Sequence, residues 1–174
     1  MADLHAPATR SGTPGYRRLS LRLRPESAPP ALAGLPLPRE TGAVSDRAGL
    51  AILTLGPGEW LLIGEPGAVP SVAAAGDALG ALPHSAVDVS ERQIGFTLSG
   101  PGAAEVLAAG CPLDLDSAAF PPGRATRTLF HKAEVVLWRQ AADRFHIEVW
   151  RSFAPYAAAL IDQAIADESF RRDM

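Results

Sequence analysis

Cysteine and lysine are almost absent from this 174-residue chain: Cys111 is the only cysteine and Lys132 the only lysine. A single cysteine excludes a disulfide framework and a thiolate zinc site built within the chain. With so little lysine, there is no phosphate-loop Gly-Lys-Ser/Thr signature, and no G-x-G-x-x-G run either. The other basic residues are arginine, and alanine is abundant, which points to a GC-rich genome rather than to a phosphate-binding surface. The net charge of −3 gives no strong pull toward nucleic acid or an anionic membrane. No apolar run approaches the length of a membrane-spanning helix, and residues 1–16 contain no apolar h-region. A cytoplasmic protein is expected. What is present is a globular composition, 47% hydrophobic and 20% charged, enough for one domain with a real core or two small lobes fused into one.

Residues 1–16 are polar with prolines at 7 and 14 and read as a disordered N-terminal arm, leaving one domain over 17–170. "LSLRLRP" alternates Leu19, Leu21 and Leu23 with polar residues, a half-buried strand that Pro25 ends. Prolines at 29, 30, 36 and 38 permit at most one short helical turn before Asp46. The apolar runs 51–55 and 60–63 flank Gly56-Pro57-Gly58-Glu59 and read as a hairpin. A helix over 69–82, strands at 86–90 and 94–99, and a helix opened by Gly100-Pro101 follow. Gly110 is expected to end that helix as a left-handed cap. Strands in "TRTLF" and "AEVVLW" precede the last strand and helix. A shift of 85 positions superposes Trp60 on Phe145, Leu62 on Ile147, Pro70 on Pro155 and Asp77 on Asp162. The expected class is therefore α+β, two βαββα-type halves with mostly antiparallel sheet.

Catalytic signatures are sparse. His5, His84, His131 and His146 form no HxxxH or HxH pair. Asp114 and Asp116 would share a face if extended, but read as a solvated loop or helix-cap pair rather than as a cation site. "LSGPG" lacks the G-x-S-x-G nucleophile elbow. Cys111 follows a helix C-terminus, not the N-terminal setting that activates a thiol, and reads as a packing residue.

The strand-to-helix junction in "FHIEVWRSFAPYAAALI" is more informative. Phe145, Ile147 and Val149 alternate with His146, Glu148 and Trp150, so one strand face should be buried and the other exposed. Ser152 stands where an N-cap belongs, and Ser152→Ala should cost about 1 kcal/mol. Phe153 begins a helical apolar stripe, so Phe153→Ala should cost about 3 kcal/mol or more. Arg151 is mildly unfavourable beside the positive end of a helix and should turn away toward a carboxylate. Trp138 and Trp150 end strands, and Arg92 lies in a turn where it can clamp a carboxylate or stay solvated. Tryptophan and arginine are enriched in binding hot spots. Arg92, Trp138, Trp150 and Arg151 are therefore the candidate partner contacts, and no catalytic, cofactor-binding or metal residue is assigned.

Several stretches together resemble the γ subunit of heterotetrameric sarcosine oxidase: "LGPGEWLLIG" (55–64), "VDVSERQIGFTLSGPGAAEVLAAGCPLDLD" (87–116), "AFPPG" (119–123), "TRTLFHKAEVVLWR" (126–139) and "FHIEVWRSFAPY" (145–156). The order and spacing fit from about residue 50 to 165. The resemblance implies a fold related to the folate-binding domains of aminomethyltransferases. It implies a non-catalytic role, stabilising a complex that oxidatively demethylates sarcosine and passes the one-carbon unit to tetrahydrofolate. FAD, FMN, NAD, tetrahydrofolate and zinc would belong to the α, β and δ subunits, which are the implied partners. The alternative is a stand-alone tetrahydrofolate-binding protein of the aminomethyltransferase type. Those enzymes carry an aspartate in the strand that corresponds here to "HKAEVVLWR", which offers Glu134 instead, and the "KGCYxGQE"-type signature is absent. A free-standing binding module for another protein is the third class.

Overall fold

The computed structural model describes residues 7–47 and 49–172, without the side chain of Arg172. Two compact units organise them, one made of residues 14–93 and 123–126 and the other of the remaining segments.

In the first unit a five-stranded sheet has the order β5-β6-β7-β2-β8, with β2 at Arg17–Leu23, β5 at Val44–Arg47, β6 at Leu50–Gly56, β7 at Glu59–Gly64 and β8 at His84–Asp88. All four of its pairings are antiparallel. The proline-rich stretch yields a 3-10 turn at Pro25–Ser27 and a two-residue ladder between β3 (Ala31–Leu32) and β4 (Leu35–Pro36). Helix α1 (Val72–Leu79) is capped by Ser71, whose hydroxyl accepts from the Ala74 amide, and ends at Gly80 with φ +57°. Its Ala75 and Leu79 pack with Leu19, Leu21, Ile52, Trp60 and Leu62 in the core. Trp60 is buried, and its indole donates to the Pro38 carbonyl at 2.7 Å.

The second unit carries a sheet of order β1-β9-β12-β11-β10: β1 Thr9–Gly12, β9 Gln93–Ser99, β10 Arg124–Phe130, β11 Ala133–Ala141, β12 Arg144–Trp150. Helices α2 (Ala103–Ala108) and α3 (Ala154–Arg172) accompany it. Phe96, Leu98, Val106, Leu107, Leu137, Phe145, Ile147 and Ile161 fill its core.

The two sheets repeat each other. Hairpin β6–β7 pairs Leu53 with Leu61 and shifts register between Thr54 and Gly56. Hairpin β11–β12 pairs Trp138 with His146 and shifts between Arg139 and Ala141, each position 85 residues further on. The position held by β8 in one sheet is held in the other by β1, which precedes β2 in sequence. The α+β class and antiparallel character agree with expectation. Each half has a three-strand run, β5-β6-β7 or β10-β11-β12, before its helix, one strand more than the expected βαββα pattern.

Several expectations need correction. Residues 1–6 of the expected arm lie outside the described residues. Residues 9–12 are not disordered but form β1, because β9 offers an unpaired ladder that they complete from Thr9↔Ser99 to Gly12↔Phe96. Gly110 is not a left-handed cap; the α2 C-cap is Ala109. Glycine is required there for space, since an added Cβ would overlap the His131 ring. β12 has no exposed alternate face before Trp150: His146 and Glu148 are as buried as Phe145 and Ile147, because both faces of the strand are covered.

Candidate functional site

β12 ends at Trp150, and the chain reverses through a 3-10 turn at Arg151–Phe153 directly into α3. The buried positions of α3 are Ala154, Ala157, Ile161, Ala164 and Glu168, spaced three and four apart as one helix face requires. Phe153 lies in the 3-10 turn before α3, and Tyr156 precedes the buried Ala157 by one residue, about 100° around the helix from that stripe. They point outward, 46% and 40% exposed, with their rings edge-to-face at 6.5 Å. Trp150 is 44% exposed. Three of the four exposed aromatics among the described residues thus fall within seven consecutive positions. Arg151 is exposed among them and is the only charged residue between Val149 and Ile161.

This geometry corrects two assignments. Phe153 is not on the buried stripe, because the 3-10 turn advances the chain by 120° per residue where an α-helix advances it by 100°. Ser152 is not an N-cap: it lies inside the turn, whose cap position is Trp150, and no side-chain bond closes that cap.

The other sequence-derived contacts fare differently. Trp138 sits in the middle of β11, only 8% exposed, so it is not an exposed contact; its ring lies 6.0 Å from that of His146. Burial on both faces of β11 explains the misreading. Arg92 lies exposed in the turn between β8 and β9, its amide bonded to the Val89 carbonyl, and it belongs to the other unit. Asp114 accepts from the Asp116 amide and Asp116 from the Ala118 amide, so both stabilise turns. Glu134 is exposed, and Cys111 is buried.

Elsewhere, His146 Nε2 and Glu148 Oε1 lie 2.7 Å apart, both fully buried. A cleft of about 320 Å³ in the first unit is lined by Arg17, Arg18, Pro70, Ser71 and Asp88 among others. Its polar groups already have partners: Arg17 donates to Asp88, Arg18 to the Tyr16 carbonyl, and Ser71 caps α1. The Asp88 carboxyl is held below its ordinary pKa, first by the Ser90 hydroxyl and then by the Ser90 amide and Arg17. Among the described residues, no group of three or more His, Cys, Asp or Glu is placed to hold a metal ion. No described helix is long and apolar enough to cross a membrane.

Sequence reasoning missed Arg139. Its guanidinium is buried over the Phe145 ring and donates to the carbonyls of Leu115, Phe120, Ala141 and Ala142. It pins the loop before β10 to β11. No local pattern marks an arginine that serves backbone carbonyls distant in sequence.

Known proteins resemble the chain along most of its length. The profile of the "Sarcosine oxidase, gamma subunit family" matches residues 28–167. A sarcosine oxidase subunit gamma from Corynebacterium sp. (strain U-96) is 34% identical over 159 residues, 87% of this chain and 76% of that protein. One from Arthrobacter sp is 37% identical over 121 residues, 67% of this chain; the match spans little more than half, 58%, of that relative's length. The solved heterotetrameric sarcosine oxidase from Corynebacterium sp. U-96, in complex with pyrrole 2-carboxylate, includes a chain that superposes with a TM-score of 0.82 at 29% identity, over 93% of this chain and 85% of that one. The glycine cleavage system aminomethyltransferase T from Bartonella henselae superposes with a TM-score of 0.63 at 18% identity, over 90% of this chain and 45% of that one. That second likeness is one of fold.

Proposed function

The chain belongs to the sarcosine oxidase gamma subunit family, and from that premise we propose that it is the non-catalytic γ subunit of a heterotetrameric sarcosine oxidase, stabilising the assembly. Its partners are the α, β and δ subunits of a cytoplasmic complex that oxidatively demethylates sarcosine. FAD, FMN, NAD, tetrahydrofolate and zinc reside on those subunits, and this chain supplies surface rather than reacting groups.

The observation that carries the reading is the patch at the β12–α3 junction. Three half-exposed aromatics beside one arginine have the composition of an interface hot spot. Trp150 and Arg151 are its proposed centre, with Phe153 and Tyr156 beside them. A partner carboxylate set in an apolar surface complements it, since a charge-assisted bond gains strength once water is excluded. Arg92, in the other unit, is proposed as a second contact, and Trp138, buried within β11, as internal support for the sheet that carries the patch.

The test is co-expression with the α, β and δ subunits and purification through a tag on this chain. The four chains should co-purify in equal amounts, and omitting this chain should lower the yield and thermal stability of the rest. An α–β–δ assembly that is intact and fully active without it would refute the proposal.

A further inference from the structure

The second unit closes its sheet with a strand that is distant in sequence. β9 is buried along most of its length, with Phe96 and Leu98 in the core. Left as an edge, such a strand would present unpaired amides and carbonyls in an apolar setting, a template for pairing with another chain. β1 covers that edge, and its own sequence, Thr-Arg-Ser-Gly, is short, polar and largely exposed, which suits it to be the outermost strand. The first unit does the same with β8, whose His-Ser-Ala-Val-Asp covers the buried β2.

Four contacts attach β1. Ala8 is buried in the core beside it. The Pro7 carbonyl accepts from the Gly102 amide at 2.6 Å. Gly100, at φ +132°, leaves room for the approach; a Cβ there would lie 2.7 Å from the Pro7 oxygen and 2.9 Å from the Ala8 Cα. Arg10 ties the strand to α3 with two bonds to Asp162, of 2.8 and 2.6 Å, and its guanidinium lies over the Phe96 ring at 5.1 Å from the centroid. One side chain thus links β1, β9 and α3.

We propose that residues 7–12 are an edge-protecting strap, latched by Arg10 on Asp162, and that its release lets copies of this chain associate through the uncovered edge of β9. This is independent of the subunit assignment, since it concerns only the chain's own fold and self-association.

Hydrogen exchange and sedimentation of the full chain test it, comparing the natural sequence with Arg10→Glu, with the charge swap Arg10→Asp/Asp162→Arg, and with a chain lacking residues 1–12. Arg10→Glu should lose about tenfold or more protection at the β9 amides that face β1, while β6 and β7 keep theirs. The same variant should associate with rising concentration in the micromolar range. The charge swap should restore both properties, and the truncation should exceed Arg10→Glu in both. If the truncated chain fails to fold, Arg10→Glu and the swap decide the matter. Unchanged β9 protection in Arg10→Glu, equal loss across both units, or an unprotected β9 in a chain that stays monomeric would each overturn the proposal.

Discussion

Phe153→Ala separates a docking role from a core role. Burying a phenylalanine in full is worth about 1.5–3 kcal/mol. Phe153 keeps 46% of its surface in water, so its covered part contributes roughly 1 kcal/mol. The edge-to-face contact with Tyr156 adds about 0.5 kcal/mol at a partly exposed site. Urea unfolding of the isolated chain should therefore show a loss of about 1–2 kcal/mol, a fall in Tm of roughly 3–6 °C. Phe145→Ala is the internal control: Phe145 is 0% exposed, and its removal should cost about 3–5 kcal/mol. The second half of the assay is affinity for an α–β–δ assembly purified without this chain, measured by calorimetry. If a partner covers the exposed face, Phe153→Ala should cost about 2 kcal/mol or more of binding, close to a 30-fold rise in Kd. An isolated Phe153→Ala chain that unfolds as readily as Phe145→Ala, yet binds normally, would refute this reasoning.

Other expectations follow from the same structure. Arg151→Ala should weaken assembly by about 1–3 kcal/mol, and because the residue is exposed it should cost the isolated chain no more than a surface ion pair is worth, less than about 1 kcal/mol; a larger loss with normal assembly would make Arg151 a structural residue. Ser152→Ala should change stability by less than about 0.5 kcal/mol, because the position makes no cap bond; a loss near 1 kcal/mol would restore the capping assignment. Arg139→Met should cost about 3 kcal/mol or more, because it strands the buried carbonyls of Leu115 and Phe120, and limited proteolysis should then cut within 114–122 first. Asp162 is held below its ordinary pKa chiefly by its hydrogen bond from Arg10, with burial opposing. A carboxyl with a depressed folded pKa gives stability that is present above about pH 4 and lost as pH falls through the folded value. Asp162→Asn should flatten the stability profile in that acid range, and an unchanged profile would show that the latch is not formed in solution.

Local signals carried the class of the fold because they rest on short-range chemistry. Gly56-Pro57-Gly58-Glu59 joins β6 to β7, Pro155 occupies the first turn of α3, and the helix expected over 69–82 forms, shortened to Val72–Leu79 because Ser71 caps its start and Gly80 ends it. The 85-residue offset was visible in a few residues because both hairpins need apolar side chains at the same register positions. The resemblance in "VWRSFA" likewise lay in the chain itself.

Tertiary structure decided everything that depends on what covers a face. Alternation in β12 implies one wet side, yet His146 and Glu148 are buried together, since a strand cannot encode whether its second face meets solvent or protein. Trp138 looked like a strand end and is interior; Phe153 looked interior and is half exposed, because a 3-10 turn changes the angular step just before the helix. Arg10 stood in a segment without periodicity. Its partners Asp162 and Phe96 are remote in sequence, and only closing the sheet brings them within reach. Patterning specifies which elements form, whereas pairing between distant segments decides which side chains are left at the surface to meet a partner.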